Sequence, residues 1–143
     1  MLANFYGNSF VSLFNGEIDF TGGAVKTALL VPGHTPDLDT HNYFDDVAAD
    51  EVSGTGYTQG GLILGTPSVT YNGATNLLTI DGDNAVWDPS TVSAGFALVY
   101  LDTGTDSTSP LIALLNFEGT ISSNNGPFTV TWDAAGIATV TVD

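Results

Sequence analysis

Apolar residues along this chain fall in short β-branched and aromatic runs, cut by Gly, Pro, Asn, Asp and Ser rather than spread at helical period. The pattern predicts strands at Val25–Val31, Leu62–Leu64, Ser68–Tyr71, Leu77–Asp81, Gly95–Leu101, Leu111–Phe117, Phe128–Trp132 and Ile137–Val142. Between them stand strong turn signals: Pro32-Gly33, Asn72-Gly73, Asp81-Gly82-Asp83, Gly104, Ser109-Pro110 and Asn124-Asn125-Gly126-Pro127. Strands this short and this evenly punctuated predict an all-β, single-domain, jelly-roll-like antiparallel β-sandwich.

Two of these runs break the alternation expected of a strand with one wet face. Phe96-Ala97-Leu98-Val99-Tyr100-Leu101 and Leu111-Ile112-Ala113-Leu114-Leu115-Asn116-Phe117 are apolar on both sides, so both faces need cover. With little helix predicted, another subunit is the economical cover, which makes Leu98, Val99, Tyr100, Leu114 and Leu115 the candidate oligomer interface. The alternative is that the N-terminal segment or Thr40–Glu51 folds over that face.

Those two segments resist a strand reading. Leu2–Phe14 fits a short amphipathic helix or an extended arm, so residues 1–20 are expected to form an N-terminal arm or short helix, and residues 21–143 the β-sandwich. Thr40–Glu51 predicts one helical turn around Asp45–Asp50. Two stretches echo each other as hairpins, Val69–Ala74 leading to Leu78-Thr79-Ile80 and Val130–Gly136 leading to Ala138-Thr139-Val140.

Charge then narrows the function. Sixteen Asp and Glu stand against a single cationic side chain, Lys26, for a net charge of −15. Nucleic acid and anionic membranes bind through Lys and Arg, so neither is an expected partner. No run approaches the ~18 apolar residues of a membrane span. The start, Met1-Leu2-Ala3-Asn4-Phe5-Tyr6-Gly7, lacks the basic and apolar regions of a secretory signal. Without cysteine there is neither a disulfide framework nor a thiol nucleophile.

Candidate chemistry is thin. The acid pairs Asp45/Asp46 and Asp81/Asp83 lack the cleft of aromatics and cations that a glycosidase needs, and read as solvated loops. Asp37-x-Asp39 and Asp81-x-Asp83 have calcium-loop spacing, but Ala48 and Val92 occupy the position where a bidentate Glu belongs. His34 and His41 near Asp37 and Asp39 match no recognised zinc spacing. No Gly-x-Ser-x-Gly elbow exists, and Gly54-x-Gly56 reads as a turn rather than a dinucleotide loop. Tyr43, Tyr57 and Trp87 are the aromatics able to stack on sugars if exposed. The expectation is no catalytic residue, no metal and no cofactor.

Several segments, in order, carry a resemblance. They are Phe14-Asn15-Gly16-Glu17-Ile18-Asp19-Phe20, Val25–Leu30, Thr35-Pro36-Asp37-x-Asp39-Thr40-His41, Asp45-Asp46-Val47 and Glu51–Gly61. Asp102–Ile112 and Val130-Thr131-Trp132-Asp133-x-x-Gly136-Ile137 complete the set. Together they resemble small structural proteins of tailed bacteriophages, in particular capsid decoration (cement) proteins. The resemblance implies a non-enzymatic homotrimer that binds the major capsid protein on the outer surface of the virion head and is made in the host cytoplasm. The aromatic-rich N-terminal segment, through Phe5, Tyr6, Phe10, Val11 and Phe14, is the expected capsid contact, and deleting Leu2–Phe14 is expected to spare soluble trimer formation but abolish capsid binding. A receptor- or carbohydrate-binding β-module of the phage exterior or tail is the alternative.

Overall fold

The computed structural model describes all 143 residues. Ten strands, all paired antiparallel, form three sheets. The largest has the order β1 (Asn4–Phe5), β8 (Leu111–Ser122), β7 (Ser93–Leu101), β2 (Val25–Leu30), β3 (Leu62–Ile63). A second sheet has the order β10 (Ala138–Thr141), β5 (Leu77–Asp81), β4 (Ser68–Asn72). The third is the pair β6 (Ala85–Ser90) and β9 (Gly126–Val130). The all-β, sandwich-like expectation holds, and every predicted strand has a counterpart within a few residues.

β1 and β6 are additions. β1 is a two-residue pairing inside a segment that reads as an arm or short helix. β6 contains Pro89, which breaks a strand pattern, and its register against β9 shifts between Trp87 and Ser90. The hairpin echo is half right. β4 and β5 do form a hairpin, but β9 and β10 do not pair: β9 joins β6, and the chain turns at Asp133–Gly136 to place β10 on β5.

The five-stranded sheet is covered on both faces. One face supplies Val25, Leu29, Ala97, Val99, Leu101, Ala113 and Leu115 to the main core. Ile80, Trp87, Phe128, Val130 and Ile137 of the smaller sheets and their connections close that core. The other face presents Ala28, Leu30, Phe96, Leu98, Tyr100 and Leu114 to a second, smaller core. The chain itself supplies the lid, with Tyr6 from the N-terminal segment and Phe44 and Val47 from the 40–51 segment. Phe44 stacks on Tyr100 with ring centroids 4.3 Å apart. The helical turn expected in that segment appears as two short 3-10 turns, Phe44–Asp46 and Ala48–Asp50.

The five residues expected at a subunit interface do not form one. Leu98, Val99, Tyr100, Leu114 and Leu115 are all buried in the single chain, none more than 5% exposed. They also lie on opposite faces, Val99 and Leu115 in the main core and Leu98, Tyr100 and Leu114 in the second. No one surface contains them. The economical cover was the chain's own loop.

Candidate docking surface

Residues 1–20 turn out to be both arm and helix. β1 pairs with β8, placing Asn4 opposite Leu114 and Phe5 opposite Ala113. Ala3 and Tyr6 are buried, with Tyr6 among the largest fully enclosed side chains. Burial pushes the Tyr6 phenol pKa up, and its hydroxyl finds no hydrogen-bond partner. Tyr6 is therefore a core anchor and not a contact residue, and the segment is woven into the fold rather than appended to it.

After Tyr6 the chain turns into α1 (Gly7–Phe14). Eight residues with Gly7, Asn8, Ser9 and Ser12 among them make a poor helix in isolation, so tertiary contacts hold it. Its orientation is inverted relative to an ordinary surface helix. The buried positions are Ser9 and Ser12, and the Ser9 hydroxyl donates to the Tyr6 carbonyl at 2.6 Å. Val11, Leu13 and Phe14 are instead 58%, 47% and 87% exposed. Phe10 is half-buried and packs against Phe5 at a centroid distance of 5.1 Å.

Beside this helix lies an apolar groove of about 100 Å³. Phe5, Phe10 and Leu13 form one wall, and Val69, Leu78 and Ile80 of β4 and β5 form the other. Nine of its ten lining residues are hydrophobic. The exposed Val69 and Tyr71 continue the apolar surface along β4. Of the five expected contact residues, Val11 and Phe14 thus stand free, Phe5 and Phe10 line the groove, and Tyr6 is withdrawn into the core. Leu13, Val69 and Leu78 are the members that sequence reasoning missed. Leu13 sat within a segment already singled out, while the β4–β5 wall carried no signal because both strands read as ordinary half-buried hairpin strands.

A second hollow, of about 380 Å³, is polar and gathers Lys26, Glu51, Asp102 and Asp106 beside Phe44 and Tyr100. Its charged groups are largely committed to holding loops. Glu51 accepts hydrogen bonds from the Tyr57 hydroxyl at 2.6 Å and the Gly60 amide at 2.8 Å, while Tyr57 itself accepts the Leu29 amide. Desolvation holds the Glu51 carboxyl above the usual range despite those bonds. Lys26 bridges to Asp102 at 2.7 Å, and that hydrogen bond holds the Asp102 carboxyl below its ordinary value. Tyr100 donates to the Gly60 carbonyl at 2.7 Å. Next door, Gly61 has φ +83°, and a Cβ there would meet the Thr27 carbonyl oxygen at 2.0 Å, so only glycine lets this loop close on β2. Chemically the arrangement pins residues 51–61 to the central sheet.

Asp37 caps its own turn by accepting the amides of Asp39 and Thr40 and the Thr40 hydroxyl, which lowers its pKa. Asp83 accepts the Thr66 hydroxyl at 2.9 Å. His34 lies edge-on to Phe96 and pairs through Nδ1 with Asp50 at 2.7 Å, rather than with Asp37 or Asp39. No group of three or more His, Asp or Glu side chains converges as a metal site would require. Gly56 takes the turn role expected of it, with φ +81°. Of the three aromatics considered for sugar stacking, Tyr57 and Trp87 are buried in the main core. No family model, curated protein or solved structure matches the chain.

Proposed function

We propose that this is a capsid decoration protein of a tailed bacteriophage, made in the host cytoplasm and bound to the major capsid protein on the outside of the head. The observation that carries the reading is the inverted helix α1, which buries Ser9 and Ser12 and leaves Val11, Leu13 and Phe14 in solvent. A side chain as large as Phe14 contributes about 1.5–3 kcal/mol when it moves from water into an apolar contact. A monomer gains nothing from holding it out. The groove beside Leu13 adds further apolar surface, and exposed apolar surface of this kind marks interaction sites.

The rest of the molecule suits a mechanical role. Two cores and a sheet covered on both faces make a stiff body. The net charge of −15 keeps decorated particles apart in solution. A trimer seated on a three-fold position repeats one modest contact three times, and multivalency turns that into firm attachment. Leu98, Val99, Tyr100, Leu114 and Leu115 are internal, and Ile63, Val86 and Ile121 are among the exposed apolar residues that a trimer could use instead.

The test is co-sedimentation of the purified protein with undecorated phage heads, alongside a glycan-binding screen. Binding to heads, together with a higher temperature of head failure, is the expected result. Glycan binding with no affinity for heads would replace this reading with a receptor-binding one.

A further inference from the structure

The groove between α1 and β4–β5 has a size and surroundings that select its occupant. Its volume of about 100 Å³ is below the roughly 150 Å³ of an apolar cavity that takes up benzene. It is also well below the ~300–1,000 Å³ of pockets that enclose drug-sized ligands. It has room for one aliphatic side chain, delivered by a larger partner that also covers Val11 and Phe14. Two acids flank one of its lining residues in the chain. Ile18 lines the groove, and its chain neighbours Glu17 and Asp19 are both exposed. Neither is neutralised by a cation: Glu17 accepts the Tyr43 hydroxyl at 2.8 Å, and Asp19 accepts the Gly22 amide at 3.0 Å.

The cations of the molecule are engaged elsewhere. Lys26 holds Asp102, and the terminal amine holds Asp133 at 2.8 Å. A second copy of the chain offers this rim no free cation, since its Lys26 and terminal amine are paired in the same way, whereas a cationic partner is attracted.

We infer that the groove docks a short partner segment with an aliphatic side chain at its centre and Lys or Arg on its flanks. The inference rests on the shell-docking reading for the partner's identity and supplies the chemistry of the contact. The occupant's side chain fills the groove between Leu13 and Leu78, its backbone passes over Val11 and Phe14, and its flanking cations meet Glu17 and Asp19. Apolar burial sets the dwell time and the charges set the on-rate, so binding weakens as salt screens the rim.

The experiment uses the full chain and two synthetic peptides, one with a Gly-Leu-Gly centre and two lysines on each side, the other with glutamates in place of the lysines. Amide shifts are followed by NMR. The lysine-flanked peptide is expected to perturb Leu13, Val69 and Leu78, with affinity falling tenfold or more between low salt and about 0.5 M salt. The glutamate-flanked peptide is expected to perturb nothing. L13S/V69S, both at exposed positions, should abolish groove binding while the rest of the spectrum is retained, and E17Q/D19N should weaken only the lysine-flanked peptide. Shifts confined to the loops 37–50 and 102–106, unaffected by L13S/V69S, would overturn the inference. So would a concentration-dependent dimer that L13S/V69S dissolves, because the occupant would then be a second copy. Peptide bound in the groove with no binding to heads leaves the groove chemistry standing and removes the capsid reading. Heads bound equally by wild type and L13S/V69S do the opposite.

Discussion

Strands β7 and β8 and helix α1 draw on the same kinds of side chain and end in opposite environments. Phe96–Leu101 and Leu111–Leu115 are enclosed on both faces, one by the smaller sheets and the other by Tyr6, Phe44 and Val47. Val11, Leu13 and Phe14 stay in water although a groove lies next to them. Apolar content alone therefore does not tell core from contact surface; what distinguishes them is whether some other part of the chain can reach over. Residues 40–51 reach across β7 through two 3-10 turns, and nothing reaches over α1.

The comparison can be broken most forcefully from the strand side. L98A removes a fully buried side chain from the second core and is expected to cost about 2–5 kcal/mol in urea unfolding. F14A should change stability by no more than about 0.5 kcal/mol, as surface substitutions do. Equal costs at the two sites would mean that the assignment of core and surface is wrong.

Tyr6 sharpens the boundary between the two regions, because it belongs to the N-terminal segment by sequence and to the core by packing. Its buried hydroxyl has no partner, and an unsatisfied buried donor costs roughly 1–3 kcal/mol. Y6F is therefore expected to gain about 1 kcal/mol of stability, read as a rise in Tm. A loss of stability would show that the hydroxyl has a partner in solution. For the same reason, deleting Leu2–Phe14 removes β1 and Tyr6 together and unfolds part of the lid, so the truncation is not a clean test of docking.

The smallest expected effect concerns the anchor of residues 51–61. Desolvation raises the Glu51 carboxyl pKa, so the folded state favours the protonated form. Stability attached to Glu51 is then fully present below its unfolded pKa, near 4.3, and is lost as pH rises through the higher folded value. E51Q keeps an acceptor for Tyr57 and Gly60 without that titration. Its Tm relative to wild type should rise from pH 4 to pH 7, and a flat difference would contradict the desolvation account.

Much of the fold was legible because strand and turn signals are local. Leu77–Asp81 was bounded to the residue, and Asn72-Gly73 announced a true hairpin. The second hairpin was misread because the choice of partner is not local: the turn at Asp133–Gly136 looks the same whether the next strand returns to β9 or crosses to β5. The lid over β7 was foreseen only as an alternative, since Phe44 and Val47 are two apolar residues among acids and their reach depends on the path from Leu30 to Glu51. Of the docking surface, the helix side was readable from its aromatic density. The β4–β5 wall was not, because Val69 and Leu78 differ in no sequence feature from any other half-buried strand residue.

The account stands or falls on α1 being a contact surface that the fold itself does not need. The direct measurement is co-sedimentation of the V11S/F14S protein with undecorated heads, beside its thermal unfolding curve. The prediction is a Tm within a few degrees of wild type and binding reduced at least tenfold. Binding equal to wild type at unchanged Tm would contradict it, and so would a variant that fails to fold.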